Sequence, residues 1–128
     1  MLALPVTPAT LGIINTTTLG QMKKSAFLIN VGRGPVIDHD ALVSALANGT
    51  IAGAGLDVFW DEPTDPDDPL FHYNVVATPH TAGVTDLSYN SIARGLAANV
   101  NRLRAGEPPI NCVNRSQVEA VRREDKRH

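Results

Sequence analysis

Three largely apolar runs of strand length most constrain this chain: Ala26–Val31, Ile51–Phe59 and Val75–Thr78. A strand with one wet face alternates polar and apolar residues, whereas a continuous run is expected of a parallel strand covered on both faces. Between the first two runs, Asp38 is placed to cap a helix, and Ala41, Leu42, Ala45 and Leu46 fall on one side of it. Asn48-Gly49 ends that helix. A longer helix is predicted from Thr85-Asp86, with Tyr89, Ile92, Ala93, Leu96, Ala97, Val100 and Leu103 at helical spacing, stopped by Gly106 and Pro108-Pro109. Toward the N-terminus, Leu4–Asn15 reads as a loop with one short helical turn. Thr17 or Thr18 then caps a short helix through Met22, closed by Lys23 and Lys24. The alternation of strand and helix predicts an α/β fold with right-handed crossovers, half of a doubly wound parallel sheet. No strand is predicted ahead of the first helix, so the sheet is expected to have about three strands.

The chain has 128 residues, about the size of one domain. Its net charge of −2 gives no electrostatic reason to expect nucleic acid or an anionic membrane as partner. The single cysteine, Cys112, rules out an intrachain disulfide and a thiolate zinc cluster. No apolar run approaches a membrane span, and Met1–Pro5 does not have the pattern of a signal peptide. A cytoplasmic location is the expectation.

The chemistry-bearing residues gather at the ends of the apolar runs, where the carboxyl edge of a parallel sheet binds ligands. Arg33 lies between Gly32 and Gly34 directly after the first run. Its planar fork of donors can take a carboxylate in bidentate fashion, or it is a surface arginine in a tight turn. His80 follows Pro79 at the end of the third run, a setting suited to a general acid/base. Glu62, beyond the end of the second run, can hold one imidazole nitrogen and favour the imidazolium if the two meet. Asp57 ends a buried run, so it either faces the ligand edge or has a donor partner. The acidic stretch Asp61, Glu62, Asp65, Asp67 and Asp68 is without the spacing and glycine of a calcium loop, and is expected to be a solvated connection; no metal site is expected. Two Gly-x-Gly pairs exist, but Gly53-Ala54-Gly55 lies inside a strand. Gly32-Arg33-Gly34 has Ile37 where a third glycine belongs, so neither is the diphosphate-binding fingerprint.

Taken in order, the run LPVTPATLGIIN, Asn30-Val31-Gly32-Arg33-Gly34, Val36-Ile37-Asp38, Gly53-Ala54-Gly55-Leu56-Asp57-Val58, Glu62-Pro63 and Pro79-His80-Thr81-Ala82-Gly83 strongly resembles the D-isomer-specific 2-hydroxyacid dehydrogenases. The resemblance covers about residues 3–112. It implies a partial Rossmann-like doubly wound sheet in residues 1–106, including the long final helix. Residues 107–114 then return toward a substrate domain, and residues 115–128 form a disordered tail. It implies catalytic roles for Arg33 (substrate carboxylate), His80 (acid/base) and Glu62 (orienting His80). It also implies an NAD or NADP site lined by Leu4, Val31, Gly32, Arg33, Asp57, His80, Thr81, Ala82 and Gly83. The implied reaction interconverts a D-2-hydroxy acid and a 2-oxo acid by hydride transfer, with homodimers in the full-length family. Members of the family are two to three times longer. The chain is therefore expected to be a truncated form that is inactive alone, with an apolar, unpaired sheet edge. The alternative is a non-catalytic module that covers that edge by oligomerising or binding a partner.

Overall fold

The computed structural model describes residues 1–116. They form two compact units, residues 1–83 and the described part of 84–128.

The first unit holds the sheet and the core. Its short helix α1 (Thr16–Gly20) is followed by strand β1 (Phe27–Asn30), helix α2 (His39–Ala47), strand β2 (Gly53–Leu56) and strand β3 (Val75–Ala77). The strands are parallel in the order β1-β2-β3, with Leu28 opposite Ala54 and Ala54 opposite Val75. Sequence alone places no strand before α1, yet Leu2 pairs in parallel with β1. Its N–H donates to the Ile29 carbonyl (2.7 Å) and its carbonyl accepts from Val31 N–H (3.0 Å). The β1 edge expected to be unpaired is therefore covered at Leu2, because an extended chain satisfies its backbone groups most readily on a neighbouring strand.

The core lies on one face of this sheet. Leu28, Ala54 and Leu56 meet Ala41, Leu42, Ala45 and Leu46 of α2, with Leu19, Val36, Ile37, Ile51, Phe59 and Leu70 completing one buried cluster. Burial of a leucine such as Leu42, fully enclosed here, stabilises by roughly 1.5–3 kcal/mol. On the other face, successive strands align Ile29, Gly55 and Val76, and Val76 is 70% exposed. Phe27 on that face is 59% exposed. The expectation of strands covered on both faces thus holds for one face only, because α2 packs on a single side.

Local chemistry explains the element boundaries. Asp38 caps α2 as expected, its Oδ1 accepting from Ala41 N–H at 3.0 Å, and Gly49 beyond the end takes φ +62. At α1 the cap is Asn15, not Thr17 or Thr18. Asn15 Oδ1 accepts from Thr17 and Thr18 N–H, and Thr18 Oγ1 returns the bond to Asn15 N–H. An amide one residue upstream reaches both orphan N–H groups at once, and the helix ends at Gly20, short of Met22. The second apolar run is strand only over Gly53–Leu56; Val58 and Phe59 are buried beyond it without strand pairing.

In the second unit, Thr85 caps helix α3 (Asp86–Arg104) through a reciprocal pair with Ser88. None of its residues is buried, and Leu87, Ile92 and Leu96 are each more than 60% exposed. Beyond Gly106 (φ +75) the chain folds back along α3. Arg102 Nε donates to the Pro108 carbonyl, and Asn99 exchanges two hydrogen bonds with the backbone of Ile110. The tail expectation beyond Ser116 lies outside the described residues. Among the described residues, no helix is long and apolar enough to cross a membrane.

Candidate active site

The turn after β1 is built by a buried amide that the sequence reading did not single out. Asn30, fully buried, accepts from Gly32 N–H at 3.0 Å and donates to the Arg33 carbonyl at 2.9 Å. A buried polar side chain just before a glycine-rich turn was the available signal. The two glycines are there for close approach by other chain segments, since neither has positive φ. A Cβ on Gly32 would lie 2.7 Å from the Leu4 carbonyl oxygen, and one on Gly34 would overlap the Phe59 carbonyl and Trp60 N. Arg33 is therefore held between two crossings, one by Leu4 and one by Phe59. Its Nη1 donates to the Gly32 carbonyl at 2.7 Å.

Glu62 and His80 meet as the parallel-strand reading anticipates. A carboxylate only accepts, so His80 donates through Nδ1 to Glu62 Oε2 at 2.8 Å. The other Glu62 oxygen accepts from Phe59 N–H at 3.1 Å. The His80 hydrogen bond, then the Phe59 N–H, hold the Glu62 carboxyl below its ordinary value, with a further pull from the Arg33 charge. Among the described residues His80 Nε2 has no partner, and the side chain is about two-fifths exposed. The arrangement fixes the tautomer and turns one nitrogen outward to take or give a proton.

His80 has φ +55, a left-handed backbone that costs a non-glycine residue roughly 1–2 kcal/mol. Asp57 holds it there. Its Oδ1 accepts from the Thr78 hydroxyl and from Thr81 N–H (2.8 Å), and its Oδ2 from Ala82 N–H (2.9 Å). Burial pushes the Asp57 carboxyl up, but these donors outweigh it and keep the group below its ordinary value. Of the two sequence-level readings for Asp57, the donor partners are the one observed. Thr78, whose hydroxyl completes this set, was not anticipated.

The acidic stretch is more than a solvated connection. Asp68 caps a 3-10 turn, Pro69–His72, and meets His39 Nε2 at 2.9 Å, while Asp40 lies 3.2 Å from His39 Nδ1. Both ring nitrogens face carboxylates, an arrangement that favours the imidazolium, in which both can donate. Burial works against that charge, but Asp40 and Asp68 outweigh it and raise the His39 pKa. The His39 ring also stands edge-on to Trp60, whose indole N–H donates to the Ile37 carbonyl at 2.7 Å.

Leu4, Val31, Gly32 and Arg33 line one open cleft of about 550 Å³ with Ala3, Pro5 and Val6. A second hollow, about 310 Å³, lies against Phe59, Glu62, Pro63, Thr64, Pro79 and His80. Of the residues expected around a cofactor, the structure thus gathers Leu4, Val31, Gly32 and Arg33 in the cleft. It fastens Thr81 and Ala82 to Asp57 and His80 to Glu62, and Gly83 closes the same unit.

Known proteins match this arrangement. Residues 1–82 match the family model described as the D-isomer specific 2-hydroxyacid dehydrogenase, NAD binding domain. A glyoxylate reductase of Korarchaeum cryptofilum is 44% identical over 118 residues, covering 91% of this chain and 36% of the relative. Glyoxylate/hydroxypyruvate reductase B of Pectobacterium carotovorum is 46% identical over 114 residues, covering 88% and 36%. The crystal structure of a D-isomer specific 2-hydroxyacid dehydrogenase from Xanthobacter autotrophicus, in complex with NADPH and MES, superposes with a TM-score of 0.80 at 41% identity. That match covers 90% of this chain and 47% of that one. The chain spans about a third of the length of the curated relatives it matches. With its Gly-Arg-Gly turn, Glu-Pro and Pro-His motifs on a parallel sheet, the chain belongs to the D-isomer-specific 2-hydroxyacid dehydrogenases, over part of their NAD-binding domain.

Proposed function

We propose that this chain carries the proton-transfer and substrate-anion half of an NAD(P)-dependent D-2-hydroxyacid dehydrogenase site. One observation carries the reading: Glu62 holds His80 through Nδ1 at 2.8 Å, leaving Nε2 open among the described residues. Arg33 binds the carboxylate of a 2-oxo acid as a fork. His80, as imidazolium, gives its Nε2 proton to the substrate's carbonyl oxygen during reduction and takes it back during oxidation. Glu62 stabilises the imidazolium and keeps the ring aimed. Asp57 holds the Thr78–Ala82 segment that presents the histidine beside the cofactor.

The residues present fit one end of a nicotinamide cofactor. The cleft at the carboxyl end of β1 is walled by Leu4, Pro5, Val6 and Val31 with Arg33 at its rim, suited to a flat ring beside an anionic substrate. Nothing in the 128 residues supplies the glycine-rich strand-to-helix loop that binds a diphosphate. The cofactor, when bound, supplies the hydride; the chain's own residues manage the proton and the carboxylate. Whether the cofactor is NAD or NADP, and which 2-oxo acid is bound, depends on residues outside these motifs.

Two assays test this reading. The 128-residue chain alone is expected to oxidise NADH or NADPH negligibly with glyoxylate, hydroxypyruvate or pyruvate; turnover at enzyme-like rates would contradict the missing diphosphate site. Residues 1–112 grafted into the Pectobacterium reductase in place of its matching segment are expected to sustain turnover, and a folded but inactive graft would sink the proposal.

One observation favours a second reading, a binding module that pairs with another copy. The apolar row Tyr89, Ile92, Leu96, Val100 and Leu103 of α3 is exposed. A concentration-independent monodisperse dimer by sizing would support it, and a monomer would exclude it.

A further inference from the structure

The two halves of the proposed site, the arginine turn and the imidazole–carboxylate pair, belong to segments far apart in the chain. One contact joins them. The backbone of Phe59 and Trp60 lies so close over Gly34 that a side chain there would overlap the Phe59 carbonyl and stand within 2.6 Å of Trp60 N. Trp60 then reaches past Gly34 and ties its indole N–H to the Ile37 carbonyl, three residues further along the same turn. Ile37 is itself 1% exposed, so this carbonyl has no ready exchange of partner with solvent. At the other end of the same residue, in the Val58–Phe59 peptide, Phe59 N–H is the donor that holds Glu62 Oε1.

We infer that Gly34 and Trp60 are positioning residues that clamp the 59–60 peptide onto the arginine turn, and through Phe59 N–H set where Glu62 holds His80. The inference rests on the proposed role of Glu62 and His80 and adds how Arg33 is kept in register with them. The chain of contact is short and directional. Gly34 admits the peptide, Trp60 locks it, Phe59 N–H aims the carboxylate, and the carboxylate aims the imidazole. A donor displaced by even a fraction of an ångström weakens such a bond, because hydrogen-bond strength falls steeply with distance and angle. Pre-organisation of this kind decides how well an acid/base works, since the supporting contacts and not the acid itself fix its orientation. Glycine at position 34 is thus required by its neighbour in space, and the ring at position 60 by the carbonyl it reaches.

The test reads position directly, in the uniformly labelled full chain. The Glu62 and Asp57 carboxyl carbons are followed by NMR through a pH titration, and Phe59 amide exchange is measured in the same samples. In Trp60→Phe, which keeps an aromatic ring but loses the N–H donor, Glu62 is expected to titrate closer to its ordinary value. The Phe59 amide is expected to exchange about five- to tenfold faster. Asp57, fastened by Thr78, Thr81 and Ala82 instead, is expected to titrate as in the parent. Gly34→Ala should show the same pattern more strongly if it folds; if it does not fold, Trp60→Phe decides. A folded Trp60→Phe chain with parental Glu62 titration and Phe59 exchange would overturn the clamp, as would equal shifts at Glu62 and Asp57, which signal general loosening. A parent chain whose Glu62 titrates at its ordinary value would instead remove the pairing on which the functional reading stands.

Discussion

Asp57 and Glu62 are five residues apart, yet they sit in opposite settings. Asp57 is buried, 4% exposed, and both its oxygens are filled by donors from the Thr78–Ala82 segment. Glu62 is about two-fifths exposed and shares itself between one backbone N–H and one imidazole. Both carboxyls are held below their ordinary values, but for different reasons: neutral donors overcoming burial at Asp57, and an imidazole hydrogen bond at Glu62. The lesson is that a lowered carboxylate pKa does not separate a structural acid from a functional one. What separates them is whether the partner has a second, open face. The donors to Asp57 are spent on it, whereas His80 still has Nε2 to offer.

The largest effect should fall on the partner with the open face. In the active graft, His80→Ala is expected to lower turnover by about 10²–10⁴-fold with cofactor affinity nearly intact. Equal loss of both, measured by steady-state kinetics and cofactor titration, would erase the proposed distinction. Next comes the buried acid. Asp57→Ala removes the shared acceptor of a hydroxyl and two N–H groups at the exposed residues Thr78, Thr81 and Ala82, where solvent makes up part of the loss, at about 1–3 kcal/mol in all. Urea unfolding of the chain checks this, and a neutral result would mean that the segment finds other partners. Glu62→Gln should show the reverse profile. Turnover of the graft falls about ten- to a hundredfold, as for a lost orienting partner, while the unfolding midpoint stays close to the parent's. A large stability loss there would make Glu62 a second Asp57.

The pH dependence sharpens the comparison further. Each carboxyl has a folded value below its ordinary one, 3.8 for Asp57 and 4.5 for Glu62. Each therefore contributes stability present above that ordinary value and lost as pH falls through the folded value. Asp57→Ala and Glu62→Gln should each flatten part of this acid limb. His39 runs the other way. Its folded pKa is raised above 6.5, so its contribution is complete below 6.5 and is lost as pH rises through the folded value. The His39→Gln chain is expected to lose that slope above pH 6.5, an effect of at most about 1 kcal/mol. Thermal melts across pH would show it, and an unchanged alkaline slope would mean that Asp40 and Asp68 do not act on the fold through His39.

Much of this was legible in the residues. The three apolar runs correctly announced parallel strands, because residues packed against α2 must be apolar; their other face, at Phe27 and Val76, is apolar yet exposed. Asp38 and Gly49 marked both ends of α2, because capping is local chemistry within three or four residues. Asn15 was overlooked as the α1 cap because three threonines after it compete for the same role in the sequence, and only backbone geometry chooses among them. Leu2 was read as part of no strand because one paired residue leaves no periodic pattern. The acidic stretch looked like solvent-facing linker because charge composition cannot reveal that Asp68 has a histidine 29 residues upstream to meet.

The sequence by itself determined the element types, the carboxyl-edge location of Arg33, Glu62 and His80, and the family those motifs belong to, since each is written in local pattern and spacing. Only the tertiary structure decided which groups touch. It made Asp57 the anchor of the Thr78–Ala82 segment, turned His80 into a left-handed backbone, and used Gly32 and Gly34 to let Leu4 and Phe59 cross on either side of Arg33. The reason is physical. Hydrogen bonds and close contacts between residues twenty or more positions apart are set by how strands align and where loops cross, and that alignment is a property of the packed chain.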